Sequence, residues 1–343
     1  MKKYLKDLVT LNGVSGREEN IREFIKNNIK DKVDEIRTDN MGNLIALKKG
    51  HDSSRKLMVL AHMDEVGFLV TKINEDGTVN VSPVGGVDPR VVKAQKLLIE
   101  GKYKAVVNSK PIHLDHSTES VQKYDSIKLF AGFTKKEQVK SKINLGDMVT
   151  FDVDYFENED FALSKAFDDR AGCSVMMDVI DNLSENSILP QYDTYFAFVV
   201  QEEAGLRGSG SAASYIKPDA AIVFEGTTAG DNPELEKEKW ATHITNGPVL
   251  TFMHSGLVMK KELFEETVRK AKEIGIKYQY KMRTAGGTDA AKLSRTAYGI
   301  PAAVISVPCR YLHSPNTIIS LKDYENVYKL GNSLIIEGRI AEL

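Results

Sequence analysis

Residues 57–61 read Leu-Met-Val-Leu-Ala, an unbroken apolar run of the kind that forms a strand covered on both faces. The same texture returns at 192–200, 220–224 and 302–307. Between these runs the apolar positions recur at helical spacing, predicting helices over 169–183, 209–216, 257–274 and 321–340. The second of these stops before Pro218. Such alternation predicts an open, mostly parallel α/β sheet with helices on both faces. The first 16 residues read as a short amphipathic helix. Ser15 and Glu18 have capping-box spacing, which predicts a second helix running to residue 29. Residues 33–47 read as two strands about a turn at 40–43. From about 66 to 155 the texture changes to short strands broken by turn signals at 74–77, 100–101 and 145–147, with helical spacing only near 134–139. A small, barrel-like β domain, residues 67–160, is therefore expected as an insertion into one α/β domain made of 1–66 and 161–343. No internal repeat or low-complexity segment is visible.

Bulk composition narrows the function classes. A chain of 343 residues with 42% hydrophobic content favours two domains with sizeable cores. A net charge of -2 gives no footprint for nucleic acid or an anionic membrane. The N-terminal apolar residues are interrupted by charge, unlike a signal peptide, and no run approaches a membrane span. Two cysteines, Cys173 and Cys309, make no disulfide framework, so a reducing cytoplasm is the simplest compartment.

Ligands of α/β sheets bind beyond the carboxyl ends of the strands. His62 and Asp64 follow the run at 57–61, Glu202 and Glu203 follow 192–200, Glu225 follows 220–224, and His313 follows 302–307. Asp168 and Asp169 head the helix after Lys165-Ala-Phe. Mixed imidazole and carboxylate donors suit zinc, cobalt or manganese, and paired ions held by a shared carboxylate can activate a water and polarise a carbonyl. In an extended segment His62 and Asp64 face the same way, so Asp64 can accept the second imidazole N–H and orient the ring. The adjacent glutamates then divide into one that neutralises a metal and one that takes a proton from water. Taken singly, a His-x-Asp pair is a surface or capping pair, Glu-Glu a solvated face and Asp-Asp a helix cap. Their joint placement at strand ends is what points to a site. No serine nucleophile with its own histidine appears there.

Other chemistry-bearing residues read as structural. His51 falls in a polar turn, His113 and His116 in the β segment despite a second His-x-Asp at Asp115, and His243 and His254 lack a companion ligand. Cys173 and Cys309 read as packing residues, though Cys309 is near His313 in sequence. Lys260 and Lys261 read as a solvated helix start. Gly286-Gly-Thr-Asp289 reads equally as a capped turn or as a backbone-rich wall of a substrate cleft.

Four motifs, Ala61-His-Met-Asp-Glu-Val-Gly-Phe68, Ala166-Phe-Asp-Asp-Arg-Ala-Gly172, Val200-Gln-Glu-Glu-Ala-Gly205 and Arg310-Tyr-Leu-His-Ser314, resemble those of the tetrahedral (TET-type) metallo-aminopeptidases, in the family's order and across nearly the whole chain. That family includes glutamyl and deblocking aminopeptidases, some formerly labelled endoglucanase or cellulase. The resemblance implies a di-metal aminopeptidase that removes N-terminal residues from peptides. It implies Asp168 as bridging carboxylate, His62 and Glu225 as ligands of one ion, Glu203 and His313 of the other. Glu202 would be the general base for a metal-bridging water, and Asp64 the residue supporting His62. It further implies a cis peptide between Asp168 and Asp169, a β domain for oligomerisation and substrate gating, and a homo-oligomer, a tetrahedral dodecamer built from dimers. One departure is Glu225, where many members have aspartate. It motivates an alternative, a related di-metal carboxypeptidase, dipeptidase or deacylase. A glycosidase using two carboxylates would leave His62, His313 and Asp168 without a role.

Overall fold

A computed structural model describes residues 2–109, 113, 121, 123–284, 286–296 and 298–343. The apolar runs form the centre of one large sheet. Its order is Glu35–Thr38, Leu44–Lys48, Tyr192–Val199, Asp52–His62, Ala220–Thr228, Ala302–Arg310, Thr317–Ser320, Phe161–Ser164, Phe156–Glu157. The long central strands, from Tyr192–Val199 to Ala302–Arg310, are parallel, in the register Phe196 to Val59, Val59 to Ile222 and Ile222 to Ala303. The strands added at both edges are antiparallel. Central strands lack a polar face because both faces are covered. Leu57, Val59 and Ala61 join the core under helices Glu19–Ile29, Phe167–Glu185 and Leu321–Glu337, while Met58 and Leu60 join the core under Arg207–Ile216 and Asp289–Leu293. Phe167–Glu185 is buried on nearly all sides, which accounts for its apolar character.

The segment between the two parts of this sheet closes into a barrel, in the order Gly67–Ile73, Val79–Val84, Lys128–Phe130, Tyr103–Val107, Lys96–Ile99, Met148–Phe151. Its interior has its own core, with Phe68 and Phe151 edge to face at 6.3 Å. A short helix, Lys136–Lys140, stands where weak helical spacing predicted one.

Three local expectations fail. The helix expected over 257–274 is Lys261–Glu273, because Leu257–Val258 pairs with Met253–His254 in a hairpin that turns Leu257 and Met259 into the core beneath Asp289–Leu293. The last long helix ends at Glu337, and Ile340–Glu342 is a separate 3₁₀ turn. The capping box does not form. The helix Glu19–Ile29 has no side-chain cap, since Ser15 donates to Asp64 and Glu18 accepts from the backbone N–H groups of Gly16 and Gln201. Among the described residues no helix is long and apolar enough to cross a membrane.

Candidate active site

The parallel strands end on a common edge, and the polar residues gathered there meet. His62 is the last residue of its strand. Glu225 projects from within Ala220–Thr228, which runs further than its apolar stretch indicates. Glu202 and Glu203 sit in a tight turn closed by the Gly205 and Leu206 N–H groups on the Glu202 carbonyl. His313 stands in the turn beyond Ala302–Arg310. Asp168 sits where the chain bends into Phe167–Glu185, with extended backbone inside the first turn, and the Asp168–Asp169 peptide is cis.

Asp168 lies between the two imidazoles, its Oδ1 at 3.1 Å from His62 Nε2 and its Oδ2 at 3.2 Å from His313 Nε2. Glu225 Oε1 stands 3.4 Å from the same nitrogen of His62, and Glu203 Oε1 stands 3.0 Å from that of His313. The result is two half-sites that share one carboxylate. Glu202 sits to the side, 4.0 Å from His62 Nε2. Donor atoms of His62, Asp168 and Glu203 lie within 4.8 Å of one another, as do those of His62, Asp169 and Glu225. Asp169, however, accepts from the His62 and Gly172 backbone N–H groups, so it braces the strand end and the helix start.

Both rings are held from behind. His62 Nδ1 faces the Asp64 backbone carbonyl at 3.1 Å, nearer than the Asp64 carboxylate at 3.4 Å, which sequence reasoning had made the acceptor. His313 Nδ1 faces the carbonyl of Gly86 at 3.0 Å. Carbonyls accept only, so each ring carries its proton on Nδ1 and turns the Nε2 lone pair to the centre when a cation binds. The Asp64 carboxylate instead accepts from the backbone N–H groups of Glu202 (3.0 Å) and Glu203 (3.1 Å) and from the Ser15 hydroxyl (2.5 Å). It thereby fixes the glutamate turn.

The electrostatics are those of a cation site. Burial raises the pKa of Glu202 and Glu225 well above the carboxylate range, with neighbouring Asp168 adding to the effect on Glu225. Burial disfavours a charged His313, yet its hydrogen bonds with Asp168 and Glu203 outweigh this and lift it to about 11. Burial likewise raises Asp168, but the two imidazoles hold it below the usual range. The carboxylates that add to this effect of burial are also an attraction for divalent cations. Glu225 Oε2 is buried with no hydrogen-bond partner among the described residues, an uncommon and costly state for a carboxylate oxygen. A metal ligand in that position would explain it, so the residues present fit a metal.

A cleft of about 490 Å³ opens from this cluster, walled by Glu202, Glu225, His313, Lys281 and Thr288. Gly286 and Gly287 line it while Thr288 caps Asp289–Leu293, so both readings of that loop hold. Sequence reasoning missed Gly86 and Lys281, which carried no signal, and gave Ser15 and Asp169 other places, Ser15 in a helix cap and Asp169 beside Asp168 at the head of its helix. His51 and His113 are exposed; His243 faces Asp231, and His254 bonds Thr288. Asp115 and His116 lie outside the described residues. Both cysteines are buried, with thiol pKa values raised by burial, and serve as packing. Lys260 and Lys261 stand exposed at the start of Lys261–Glu273.

A family model for M42 glutamyl aminopeptidases matches residues 42–330. The chain is 32% identical to the lysyl aminopeptidase of Pyrococcus furiosus, over 97% of this chain and 96% of that one. Among solved structures, a Thermotoga maritima protein described as an endoglucanase is 47% identical, with a TM-score of 0.83 over 99% of this chain and 98% of that one. The Pyrococcus horikoshii TET1 peptidase, which assembles into a tetrahedron or a large octahedral shell, is 28% identical, with a TM-score of 0.86 over 98% of this chain and 99% of that one.

Proposed function

This chain belongs to the M42 glutamyl aminopeptidase family, and from that premise we propose that it removes N-terminal residues from peptides at a two-metal site in which Glu202 moves the protons. It is a metallo-aminopeptidase; the division of labour among its residues is our reading. Asp168, His62 and Glu225 would hold one divalent ion, and Asp168, His313 and Glu203 the other. The carrying observation is Asp168 between two imidazoles, each with its own glutamate. Zinc and cobalt suit this donor set best, and manganese is accepted by it. Bound there, the ions would polarise the scissile carbonyl and acidify the attacking water. Glu202 accepts the proton of that water and returns it to the departing amine, a role that suits a buried carboxyl whose pKa burial has raised. Asp64 holds the Glu202 and Glu203 backbone in register with His62.

Residues 1–66 and 161–343 act as the catalytic part and 67–160 as the part that assembles subunits and limits entry. The assembly we propose is a tetrahedral dodecamer built from dimers, by analogy with the Pyrococcus horikoshii protein. A reducing cytoplasm suits the two free cysteines. The carboxypeptidase, dipeptidase or deacylase alternative rests on Glu225 alone. A glycosidase gives no role to the two imidazoles on Asp168.

The test compares a peptide with its N-acetylated counterpart, with and without a chelator. Hydrolysis of the free-amine peptide alone, abolished by chelation and restored by added metal, is the expected result. Preferential cleavage of the acetylated peptide, or chelator-resistant cleavage of cellulose oligomers, would overturn the reading.

A further inference from the structure

Three successive backbone N–H groups at the glutamate turn, those of Gln201, Glu202 and Glu203, all donate to carboxylates from the N-terminal part of the chain. Asp64 takes the last two. The first goes to Glu18 Oε1 at 3.1 Å, and the same oxygen takes the Gly16 N–H at 2.8 Å. Consecutive N–H groups that converge in this way form an anion-binding concavity, built with a residue in the left-handed conformation. That residue is Gln201, at φ +56°.

Glu18 faces an unusual way for its place. It stands at the N-cap position of Glu19–Ile29, where a carboxylate ordinarily accepts from its own helix. Its side chain turns instead to a backbone 183 residues further on. The residue is 3% exposed, and no cation pairs with it among the described residues. Burial, and then the charge of Asp64, lift its pKa to about 7, against the pull of the Gly16 and Gln201 N–H groups. A carboxyl buried beside another is unfavourable, and a turn of local use alone does not call for one.

The downstream side of the glutamate turn has its own holds. The Gly205 and Leu206 N–H groups close on the Glu202 carbonyl, and the Arg207 N–H closes on that of Gln201. The Gln201 N–H itself depends on Glu18. A left-handed residue other than glycine relaxes to another conformation unless its surroundings hold it. Relaxation here would rotate the peptide between Gln201 and Glu202 and swing the Glu202 side chain, while Asp64 still gripped Glu203.

We propose that Glu18 is a positioning residue for the proton transfer, holding Gln201 left-handed so that the Glu202 carboxyl stays aimed into the cleft. The role rests on the reading of Glu202 as general base. It is a role of hydrogen bonding and not of charge. A protonated carboxyl and an amide both keep an acceptor oxygen in the same place.

The test is a series of variants of the metal-loaded, assembled protein turning over leucylglycylglycine, with metal content measured on each and kcat referred to metal-loaded sites. Glu18→Ala should lower kcat about 10- to 100-fold, as displacing a catalytic group by about an ångström does, with KM within about twofold and both ions retained. Glu18→Gln should stay within about threefold of the unaltered kcat, because its amide oxygen accepts the same two N–H groups. Glu18→Asp keeps the charge, falls short by one methylene and should lose about fivefold or more. That order, Gln above Asp, is the readout that a loss of stability alone does not produce. Unchanged kcat in Glu18→Ala, a rise in KM alone, loss of an ion, or a Glu18→Gln as impaired as Glu18→Ala would each overturn the assignment. If Glu18→Ala does not fold, the other two decide: Gln above Asp supports the role, and Asp at or above Gln overturns it. Glu202→Gln in the same series separates this failure from that of the reading beneath it. Impaired Glu202→Gln beside normal Glu18→Ala removes the positioning role alone. Normal turnover in Glu202→Gln removes the base and, with it, any residue that positions it.

Discussion

Asp64 and Gly86 never point a donor at the centre of the site, yet they decide where its ligands stand. The Asp64 carboxylate accepts from the backbone of both Glu202 and Glu203, so the two side chains diverge from one fixed turn. That geometry lets adjacent glutamates serve different ends. Glu202→Gln keeps the shape and cannot take a proton, so kcat should fall about 10²- to 10⁴-fold while metal content is unchanged. Glu203→Gln should instead empty or weaken one ion position. Metal content by mass spectrometry beside steady-state kinetics checks both; loss of metal from Glu202→Gln with full occupancy in Glu203→Gln would mean that the roles are reversed. Gly86 acts on His313. A Cβ at position 86 would sit 3.2 Å from His313 Nδ1, tighter than an ordinary contact. The Gly86→Ala variant should lower metal affinity by about 10- to 100-fold, the usual effect of disturbing a group behind a ligand, and leave the melting temperature of the metal-free protein nearly unchanged. Competition with a metal-binding dye measures the first and calorimetry the second. Unaltered affinity would show that the contact is incidental.

At the scale of elements, close approach of helix to sheet sets the site. Leu321–Glu337 lies against Ala220–Thr228 so closely that a Cβ on Gly331 would overlap the Phe224 ring. Gly331→Ala should cost about 1–3 kcal/mol in denaturant unfolding, as overpacking does, and because Glu225 follows Phe224 it should weaken metal binding as well. Stability within a few tenths of a kcal/mol of the unaltered protein would show that the helix can retreat. The long strands and the carboxylates at their ends were legible because continuous apolar runs have a single physical cause, cover on both faces. Ser15 was misread because its partner, Asp64, is 49 residues away, and local spacing offered a cap. Leu257 was misread because a two-residue strand and the first turn of a helix look alike when both bury a leucine. Gly86 left no trace, since its carbonyl meets a histidine 227 residues further on. The reach of Asp168 to both imidazoles came from family resemblance; residue types alone did not contain it.

For the whole molecule, the barrel is joined to the sheet at the site itself, through the Gly86 carbonyl on His313 and the approach of Gly85 to Glu203. Whatever holds the barrel in place therefore reaches His313 and Glu203, two of the proposed metal ligands. The proposed dodecamer should sediment with metal present at roughly twelve times the chain mass of 38.1 kDa, and a monomer alone at micromolar concentration would contradict it. The central claim, two ions sharing Asp168, is tested most directly by crystals of the metal-loaded protein measured at the absorption edge of the bound metal. Two anomalous peaks are expected about 3.5–4 Å apart, one against His62 and Glu225, the other against His313 and Glu203, with Asp168 touching both. A single peak, or a pair that Asp168 does not bridge, would contradict the account.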